Sequence, residues 1–234
     1  MKPETRNDDP ATLDRRIRSF VKREGRLTPG QQRNLEDLWP RFGLDPADGA
    51  FDWPAIFGRD APRTLEIGFG AGEVLATLAA AHPEEDFIGI EVYRSGVGRL
   101  LGEAAQGQMT NLRAICADAV EVIDHAIPTA SLDTVLLYFP DPWPKKRHHK
   151  RRLVQTAFAD RVHRILKPGG VWRLATDWSN YAEWMREVLD VHPGFENIGD
   201  DNGCVSQPPR PATRFEQRGL RRGHAVVDLA YRRR

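Results

Sequence analysis

Cysteine is scarce in this sequence, and long apolar runs are absent. The two cysteines, Cys116 and Cys204, are far apart and neither belongs to a CxxC pair. We therefore expect a reducing, cytoplasmic setting and no disulfide framework. No stretch of about 18 apolar residues occurs, which argues against a membrane span. The first residues, MKPETRNDDP, are polar and charged and lack the apolar core of a secretory signal.

Metal-ligand spacing is also lacking, and the net charge is close to zero. His148 and His149 are adjacent within a charged run and no Cys/His group has zinc spacing, so we predict no metal site. The formal net charge is +1, which alone indicates no nucleic-acid partner. Positive charge is instead concentrated at residues 15–33, 145–152 and 210–234. These three blocks either converge on one face that follows a phosphate backbone or lie on separate solvated surfaces.

The chain has 234 residues, 40% of them hydrophobic, which is enough for one globular domain with a sizeable core. From residue 63 onward, apolar strands alternate with helical patterns, which predicts an α/β fold with a largely parallel sheet. Strands are predicted at 63–67, 86–91, 112–116, 132–138, 170–176 and 225–233, and helices at 72–81, 94–107, 118–125, 149–166 and 179–190. Upstream we predict short helices at 11–24 and 31–39 and a loop-rich stretch at 41–62. Residues 1–60 are thus interpreted as a basic helical arm, partly disordered, and residues 61–234 as the main domain.

Three glycines follow the first strand of the main domain. In TLEIGFGAGE, Gly68, Gly70 and Gly72 lie between a strand and a helix, where glycine lets the backbone turn sharply and approach a ligand closely. The spacing is GxGxG, and Glu73 stands where the GxGxxG pattern of dinucleotide-binding folds has its third glycine. A carboxylate there would repel a pyrophosphate at the helix N-terminus. S-adenosylmethionine has no phosphate, so it suits this turn better than a dinucleotide does.

Acidic residues stand in or just after the first three strands. Glu91 ends the second strand and can accept hydrogen bonds from ribose hydroxyls, while Asp118, after the third, can accept one from an adenine amino group. Asp118 also precedes a helix, where aspartate is a common N-cap. Glu66 lies inside the first strand in an apolar context and needs partners, since an unpaired buried carboxylate is costly. Either the sulfonium and amino groups of a methyl donor or an internal salt bridge would supply them.

An unusual string begins in the fourth strand and continues into the loop after it. Residues 135–152 read VLLYFPDPWPKKRHHKRR, which joins an apolar strand to a loop with three prolines around Asp141 and Trp143, and then to a dense basic block. Together with LEIGFGAG, GIEV, LKPGG, ATDW and TRFE, this string closely resembles the bacterial tRNA (guanine-N7-)-methyltransferases. The resemblance extends from about Arg18 to Arg233, with no departure at any motif position.

The resemblance implies the α/β, Rossmann-like fold of class I methyltransferases, with a mostly parallel twisted sheet and helices on both faces. It also implies methyl transfer from S-adenosyl-L-methionine to N7 of guanine 46 in the tRNA variable loop. By motif, Glu66, Glu91 and Asp118 would bind the methyl donor beside the glycine turn, and Asp141 would be the catalytic acid and would also lie at the cofactor. The residues that would meet the substrate are Lys145, Asp177, Thr213, Arg214, Phe215 and Glu216. Those that would contact RNA are Arg147, His148, His149, Lys150, Arg151 and Arg152.

Several of these residues have structural alternatives. Asp177 precedes a predicted helix and is a candidate N-cap, and Trp143 either stacks on a base or packs under the proline loop. Phe215 is a base platform or a lid on the core, and Tyr138 and Phe139 are assigned to the strand core. We expect tRNA as the partner, no membrane or metal, and a monomer or homodimer.

Three other functions compete with this interpretation. A methyltransferase for small molecules or proteins would leave the basic blocks without a role. A non-catalytic RNA-binding module would not need Glu91, Asp118 and Asp141 together. The GxGxG spacing disfavours a nicotinamide-dependent oxidoreductase.

Overall fold

The computed structural model describes residues 18–20, 25–200, 203–205, 211, 216 and 225–234. Its helices are α1 (Pro29–Phe42), α2 (Trp53–Phe57), α3 (Glu73–Ala81), α4 (Arg94–Gln106), α5 (Ala119–His125), α6 (Thr156–Ile165) and α7 (Ser179–Leu189), with short 3₁₀ turns at Pro46–Asp48 and Lys146–Arg151. Its strands are β1 (Gly43–Leu44), β2 (Arg63–Ile67), β3 (Asp86–Ile90), β4 (Leu112–Ile115), β5 (Leu132–Tyr138), β6 (Leu166–Thr176), β7 (Phe195–Asn197) and β8 (Val227–Arg233). Among these residues, no helix has the length and apolarity that a membrane crossing requires.

One mixed sheet of eight strands runs through the described chain, in the order β1-β4-β3-β2-β5-β6-β8-β7. The strands from β1 to β6 are parallel to their neighbours, whereas β8 is antiparallel to both β6 and β7. The order reverses between β2 and β5, and open α/β sheets bind ligands at such a switch point, beyond the carboxyl ends of the strands. The predicted α/β fold with a mostly parallel sheet is confirmed.

Helices cover both faces of the sheet, as predicted. On one face, Phe42 of α1, Leu75 of α3 and Leu100 of α4 pack with residues of β3 and β4. On the other face, buried residues of α5, α6 and α7 pack with those of β2, β5 and β6. Because both faces are covered, every residue of β2 and of β3 is buried, as is usual for parallel strands.

Helix α1 begins at a capping box and packs closely on α4. Thr28 Oγ1 accepts a hydrogen bond from the Gln31 N–H, and Gln31 Oε1 accepts one from the Thr28 N–H, which satisfies two donors at the helix start. A Cβ on Gly98 of α4 would lie 2.6 Å from the Gln31 carbonyl oxygen. The Asn34 side chain donates to the Gly98 carbonyl oxygen at 2.8 Å. The absence of a side chain at Gly98 therefore lets α1 lie against α4.

Helix α1 ends later, and strand β6 begins earlier, than predicted. Helix α1 continues through Pro40 to Phe42, because a proline in the last turn removes only one backbone donor and the fully buried Phe42 anchors that turn. Strand β6 begins at Leu166, four residues before the predicted start, because Leu166 already pairs with Leu132. Gly169, with φ of +80°, lies in the irregular stretch that follows this first pairing.

The predicted helix at 149–166 is wrong in its first half. Residues 146–151 form a 3₁₀ turn, and α6 begins only at Thr156. Between them, the N–H of the buried Val154 donates to Tyr181 Oη at 3.2 Å, and its carbonyl oxygen accepts from Trp184 Nε1 at 2.7 Å. The chain therefore bonds to α7 at the point where a continuous helix would bond to itself.

The N-terminal part of the chain was predicted least well. The predicted helix at 11–24 lies largely outside the described residues, and residues 18–20 within it are not helical. The loop-rich stretch at 41–62 contains β1, which adds an edge strand beside β4, and the short helix α2. The division into an arm at 1–60 and a domain at 61–234 stays a prediction.

Candidate active site

A cavity of about 360 Å³ lies beyond the carboxyl ends of β2, β3, β4 and β5, next to the switch point of the sheet. The loops after these four strands supply most of its lining. Of the residues predicted to bind a methyl donor, those that line the cavity are Glu66, Gly68, Gly70, Glu91, Asp118 and Asp141. The structure therefore brings together acids that are 75 residues apart in the sequence.

Gly72 is not part of the lining and has a packing role instead. It is the N-cap of α3, with φ of +82°, a conformation that favours glycine. A Cβ at this position would lie 2.8 Å from Leu100 Cδ1. Gly72 thus lets α3 pack against α4. The next residue, Glu73, does line the cavity, and its carboxylate is paired with Arg99 Nη2 at 2.9 Å.

The Glu91 carboxylate joins the second loop of the site to the first. Oε2 accepts from the Gly70 N–H at 2.8 Å, and Oε1 accepts from the N–H groups of Val92 at 2.7 Å and Tyr93 at 3.0 Å. Burial raises the pKa of Glu91, although these three backbone donors act in the opposite direction. Since a carboxylate oxygen has two acceptor positions, Oε2 keeps one for a hydroxyl in the cavity.

Glu66 is a buried acid of the site with one oxygen atom that lacks a hydrogen-bond partner among the described residues. Its residue is only 3% exposed, and this oxygen is Oε2. Burial, with a contribution from the nearby Glu91, raises the pKa of Glu66 to about 8. The internal salt bridge considered as an alternative is not present in the described chain. A cationic ligand in the cavity would supply the missing partner.

Asp118 combines the two roles considered for it. It is the N-cap of α5, where its Oδ1 accepts from the Val120 N–H at 2.9 Å, and it also lines the cavity. The cap fixes the direction of the carboxylate. Being a helix cap therefore does not exclude Asp118 from a ligand site.

Asp141 lies at the mouth of the cavity, in a loop with unusual backbone geometry. Phe139 and Trp143, on either side of it, have φ of +52° and +45°, values that residues other than glycine adopt only when surrounding contacts enforce them. The Phe139 N–H donates to the Ala175 carbonyl oxygen of β6 at 2.8 Å. Although the Asp141 residue is largely exposed, partial desolvation raises the pKa of its carboxyl group.

Trp143 is held by contacts within the fold, which supports the packing role considered for it. Its Nε1 donates to the Ser19 carbonyl oxygen at 2.9 Å. The Arg151 guanidinium lies 4.4 Å from the centre of its ring, and the His148 ring meets it edge-on at 6.0 Å. Because Ser19 and Phe20 line the cavity, Trp143 connects the Asp141 loop to the N-terminal segment that covers part of this space.

Arg152 does not have the position expected of an RNA contact. It is 2% exposed, and its Nε donates to the Pro142 carbonyl oxygen at 3.0 Å. Its Nη2 donates to Asn180 Oδ1 at 2.7 Å, and the guanidinium packs over the rings of Tyr181 and Trp184. A guanidinium held in this way is not available to a phosphate, so the predicted RNA contact of Arg152 is corrected to a support of the loop.

The rest of the basic block faces outward to different degrees. Lys145, Arg147 and Lys150 are exposed, whereas His148, His149 and Arg151 are half-buried. Desolvation, together with the positive charge of Arg147 and Lys145, lowers the pKa of His148. His148 therefore contributes less positive charge to this turn than an unperturbed histidine would.

Of the three basic blocks, the described part of the third lies away from the cavity. Arg18 of the first block is near the Asp141 loop, because the next residue, Ser19, bonds to Trp143. In the tail, β8 runs antiparallel to β6 with Arg232 opposite Val171. The described arginines at 232–234 therefore lie toward the amino end of the parallel strands, away from the cavity.

The residues predicted to meet the substrate base are described only in part. Asp177 directly follows β6, on the strand next to β5, and is not the N-cap of α7, since that position is occupied by Trp178. Glu216 is half-buried. Thr213, Arg214 and Phe215 lie outside the described residues.

The cavity also contains residues that sequence reasoning assigned elsewhere or missed. Tyr138 and Phe139 were assigned to the strand core, and both line the cavity. Leu153 and Tyr93 belong to the lining as well and were not predicted, because single apolar residues in loops carry no pattern. The sequence signal for them was their position, since Tyr93 closely follows a predicted strand and Leu153 directly follows the basic motif.

The comparisons with known proteins agree with this geometry. The family model described as "Putative methyltransferase" matches residues 60–229. The tRNA (guanine-N(7)-)-methyltransferase of Alkalilimnicola ehrlichii is 57% identical over 231 residues, which cover 98% of this chain and 98% of that protein. The protein of the same name from Halorhodospira halophila is 56% identical over 222 residues, 94% of this chain and 96% of that protein. Among solved structures, the aminoglycoside resistance methyltransferase NpmB1 has the same fold, with a TM-score of 0.54 at 14% identity over 82% of this chain and 94% of that one.

Proposed function

Because this chain belongs to the tRNA (guanine-N7-)-methyltransferase family, we propose that the guanine it methylates is guanine 46 in the tRNA variable loop. The cofactor of this reaction is S-adenosyl-L-methionine, and the substrate is tRNA. The position of the target base is an expectation from the family resemblance of the PDPWPKKRHHKRR motif.

One observation supports this proposal more than any other. Asp141 lies at the mouth of the cavity, and the exposed cations of the basic turn begin four residues later, at Lys145. One short segment thus carries both an acid, which would face the reacting base, and cations, which would face the phosphate backbone. A small-molecule methyltransferase would need the acid but not the cations.

The residues of the cavity fit S-adenosyl-L-methionine. Glu66 offers a buried carboxylate oxygen without a partner, which a cationic group of the methyl donor would satisfy. Glu91 would accept from the ribose hydroxyls and Asp118 from the adenine amino group. When bound, the cofactor supplies an electrophilic methyl group on a positively charged sulfur.

The chemistry at guanine N7 does not require a general base. The N7 lone pair is neutral and lies in the plane of the ring, so no proton has to leave before it forms the new bond to the methyl carbon. The purine instead becomes cationic as the carbon–sulfur bond breaks and its electron pair stays on sulfur. We therefore assign Asp141 an electrostatic and orienting role, in which its carboxylate stabilises the developing positive charge.

Exposed cations of the basic turn would bind the tRNA backbone. Each phosphate neutralised by Lys145, Arg147 or Lys150 releases counterions, which makes binding dependent on salt, with a slope of roughly −0.7 to −0.9 per phosphate. Asp177, on the neighbouring strand end, would meet the target base. A cytoplasmic location, and a monomeric or homodimeric state, stay predictions.

A pair of transcripts tests the position of the target base. One tRNA transcript carries guanine at position 46 and the other carries adenine there, and both are incubated with enzyme and donor labelled in the methyl group. We expect label in the first transcript only. Equal labelling of both transcripts would show that the enzyme methylates a different base.

A further inference from the structure

We propose that Arg152 is a positioning residue for methyl transfer, which holds the loop at 139–144, and with it Asp141, against the first turn of α7. This inference rests on the proposed function, because it concerns the group that acts on the substrate base. It gives Arg152 a role different from that of the exposed cations beside it.

The contacts of Arg152 connect two separate parts of the site. Its Nε donates to the Pro142 carbonyl oxygen, one residue after Asp141, at 3.0 Å. Its Nη2 donates to Asn180 Oδ1 at 2.7 Å, and its Nη1 to the Asn180 carbonyl oxygen at 3.4 Å. Asn180 lies in the first turn of α7, three residues after Asp177. One planar guanidinium thus joins the loop that carries Asp141 to the segment that carries Asp177.

The burial of Arg152 indicates that this connection is a fixed part of the fold. The residue is 2% exposed, with its guanidinium 4.9 Å from the ring centre of Tyr181 and 5.4 Å from that of Trp184. None of the described acids forms a salt bridge with it, so neutral oxygens and aromatic faces are its partners. An arginine suits such a position because its planar fork donates in several directions at once.

The backbone of the loop explains why such support is needed. Phe139 and Trp143 both have positive φ, a strained conformation for residues other than glycine, which persists only where neighbouring contacts enforce it. Hydrogen bonds between described residues hold the loop from Phe139 to Ala175, from Trp143 to Ser19 and from Arg152 to Pro142. Of these three bonds, the one from Arg152 falls on the residue next to Asp141.

The test compares Arg152→Lys with two other variants in a steady-state tRNA methylation assay. Lysine keeps the charge but cannot bond to Pro142 and Asn180 together. We expect kcat to fall at least tenfold, since small misplacements of a reacting group cost up to about 10²-fold, while KM for tRNA and its salt slope stay unchanged. Lys150→Ala should show the opposite pattern, with a raised KM and a flatter slope. Arg161→Lys is the matched control for replacing an arginine by a lysine. Arg161 lies on α6 and bonds to Asp124 of α5, and this variant should have the kcat and KM of the wild type.

Two further measurements separate positioning from a general loss of structure. Hydrogen exchange of the Phe139 amide, which donates to the Ala175 carbonyl oxygen, should be faster in Arg152→Lys than in the wild type or in Arg161→Lys, with exchange in β2 and β3 unchanged. In addition, Arg152→Lys combined with Asp141→Asn should be no slower than Asp141→Asn alone, because Arg152 acts through Asp141.

The outcomes are distinguishable. A raised KM and a flatter salt slope with unchanged kcat in Arg152→Lys would overturn the inference and make Arg152 an RNA contact. Multiplicative effects of the two substitutions, or unchanged exchange of the Phe139 amide, would also overturn it. If the wild-type enzyme itself fails to methylate guanine 46, the proposed function is wrong, and the hydrogen-exchange result still shows whether Arg152 holds the loop.

Discussion

The buried carboxyl group of Glu66 leads to a prediction about stability that can be worked out from the structure. The substitution Glu66→Gln keeps the shape of the side chain but removes its ability to ionise. In the folded protein without ligand, the pKa of Glu66 is raised from 4.5 to about 8, mainly by burial. An acid whose folded pKa is raised stabilises the fold below its unfolded pKa and loses that contribution as the pH rises through its folded pKa.

The size of the effect follows from the two pKa values. At about 1.4 kcal/mol per pH unit, a pKa near 8 in place of 4.5 corresponds to a limiting cost of about 5 kcal/mol above pH 9. At pH 7 the unfolded chain is ionised at this position and the folded chain is mostly protonated, so the cost is about 3 kcal/mol. At pH 5 it is only about 1 kcal/mol. Glu66→Gln should therefore match the wild type at low pH and be more stable than it at neutral and alkaline pH.

Urea unfolding of both proteins at pH 5, 7 and 9, without cofactor, measures this difference. The free energy of unfolding of the variant minus that of the wild type should rise with pH by about 4 kcal/mol over this range, with equal m-values. Parallel pH curves for the two proteins would refute the reasoning, because they would mean that Glu66 is ionised or solvated in the folded state.

The same variant tests why an acid is retained at a site where it destabilises the fold. If Glu66 faces a cation of the cofactor, Glu66→Gln should bind S-adenosyl-L-methionine at least tenfold more weakly at pH 8, as measured by calorimetry. Comparison with S-adenosylhomocysteine, which lacks the positive charge on sulfur, identifies the group that Glu66 contacts. Unchanged affinity for both ligands would exclude a cation-binding role for Glu66.

Three further variants test separate parts of the site and the fold. Asp141→Asn should lower kcat by about 10²–10³-fold with little change in cofactor affinity, and a loss below about tenfold would rule out the electrostatic role. Arg147→Ala together with Lys150→Ala should raise KM for tRNA and reduce the magnitude of the salt slope by roughly 1.4–1.8, and an unchanged slope would remove these residues from the RNA interface. Gly98→Ala, whose Cβ would lie 2.6 Å from the Gln31 carbonyl oxygen, should lower the free energy of unfolding by about 1–3 kcal/mol, and wild-type stability in urea titrations would show that α1 can shift without cost.

Elements with strong periodicity were predicted well from the sequence. β2 and β5 have the predicted bounds, and helices α3 to α5 begin and end within a residue of the prediction, because apolar spacing and glycine turns mark them locally. The first half of the helix expected at 149–166 was wrong, because the local sequence pattern is helical but residues 149–155 bond to other parts of the chain, whereas α6 follows at Thr156. The bonds of Val154 to Tyr181 and Trp184 depend on residues about 30 positions away, which no local pattern reveals.

In the site, too, the residues marked by a local sequence pattern were predicted, whereas those whose role depends on distant contacts were not. Glu66, Glu91 and Asp118 were chosen as candidates because each stands at or near a strand end, and the structure places all three in the lining of one cavity. Arg152 was misread because a basic run suggests one role for all its members. Its burial is set by Tyr181 and Trp184 of α7, and charge density in the sequence does not distinguish a buried arginine from an exposed one.

The identity of the methylated nucleoside tests the central claim of this account most directly. The enzyme is incubated with S-adenosyl-L-methionine and tRNA that lacks the modification, the tRNA is digested to nucleosides, and the products are separated by chromatography and identified by mass. We predict N7-methylguanosine as the one new nucleoside, formed by the wild type and reduced at least tenfold in Asp141→Asn. A guanosine methylated on another atom, or methylation of another base, would contradict the assignment of Asp141 and the chemistry derived from it.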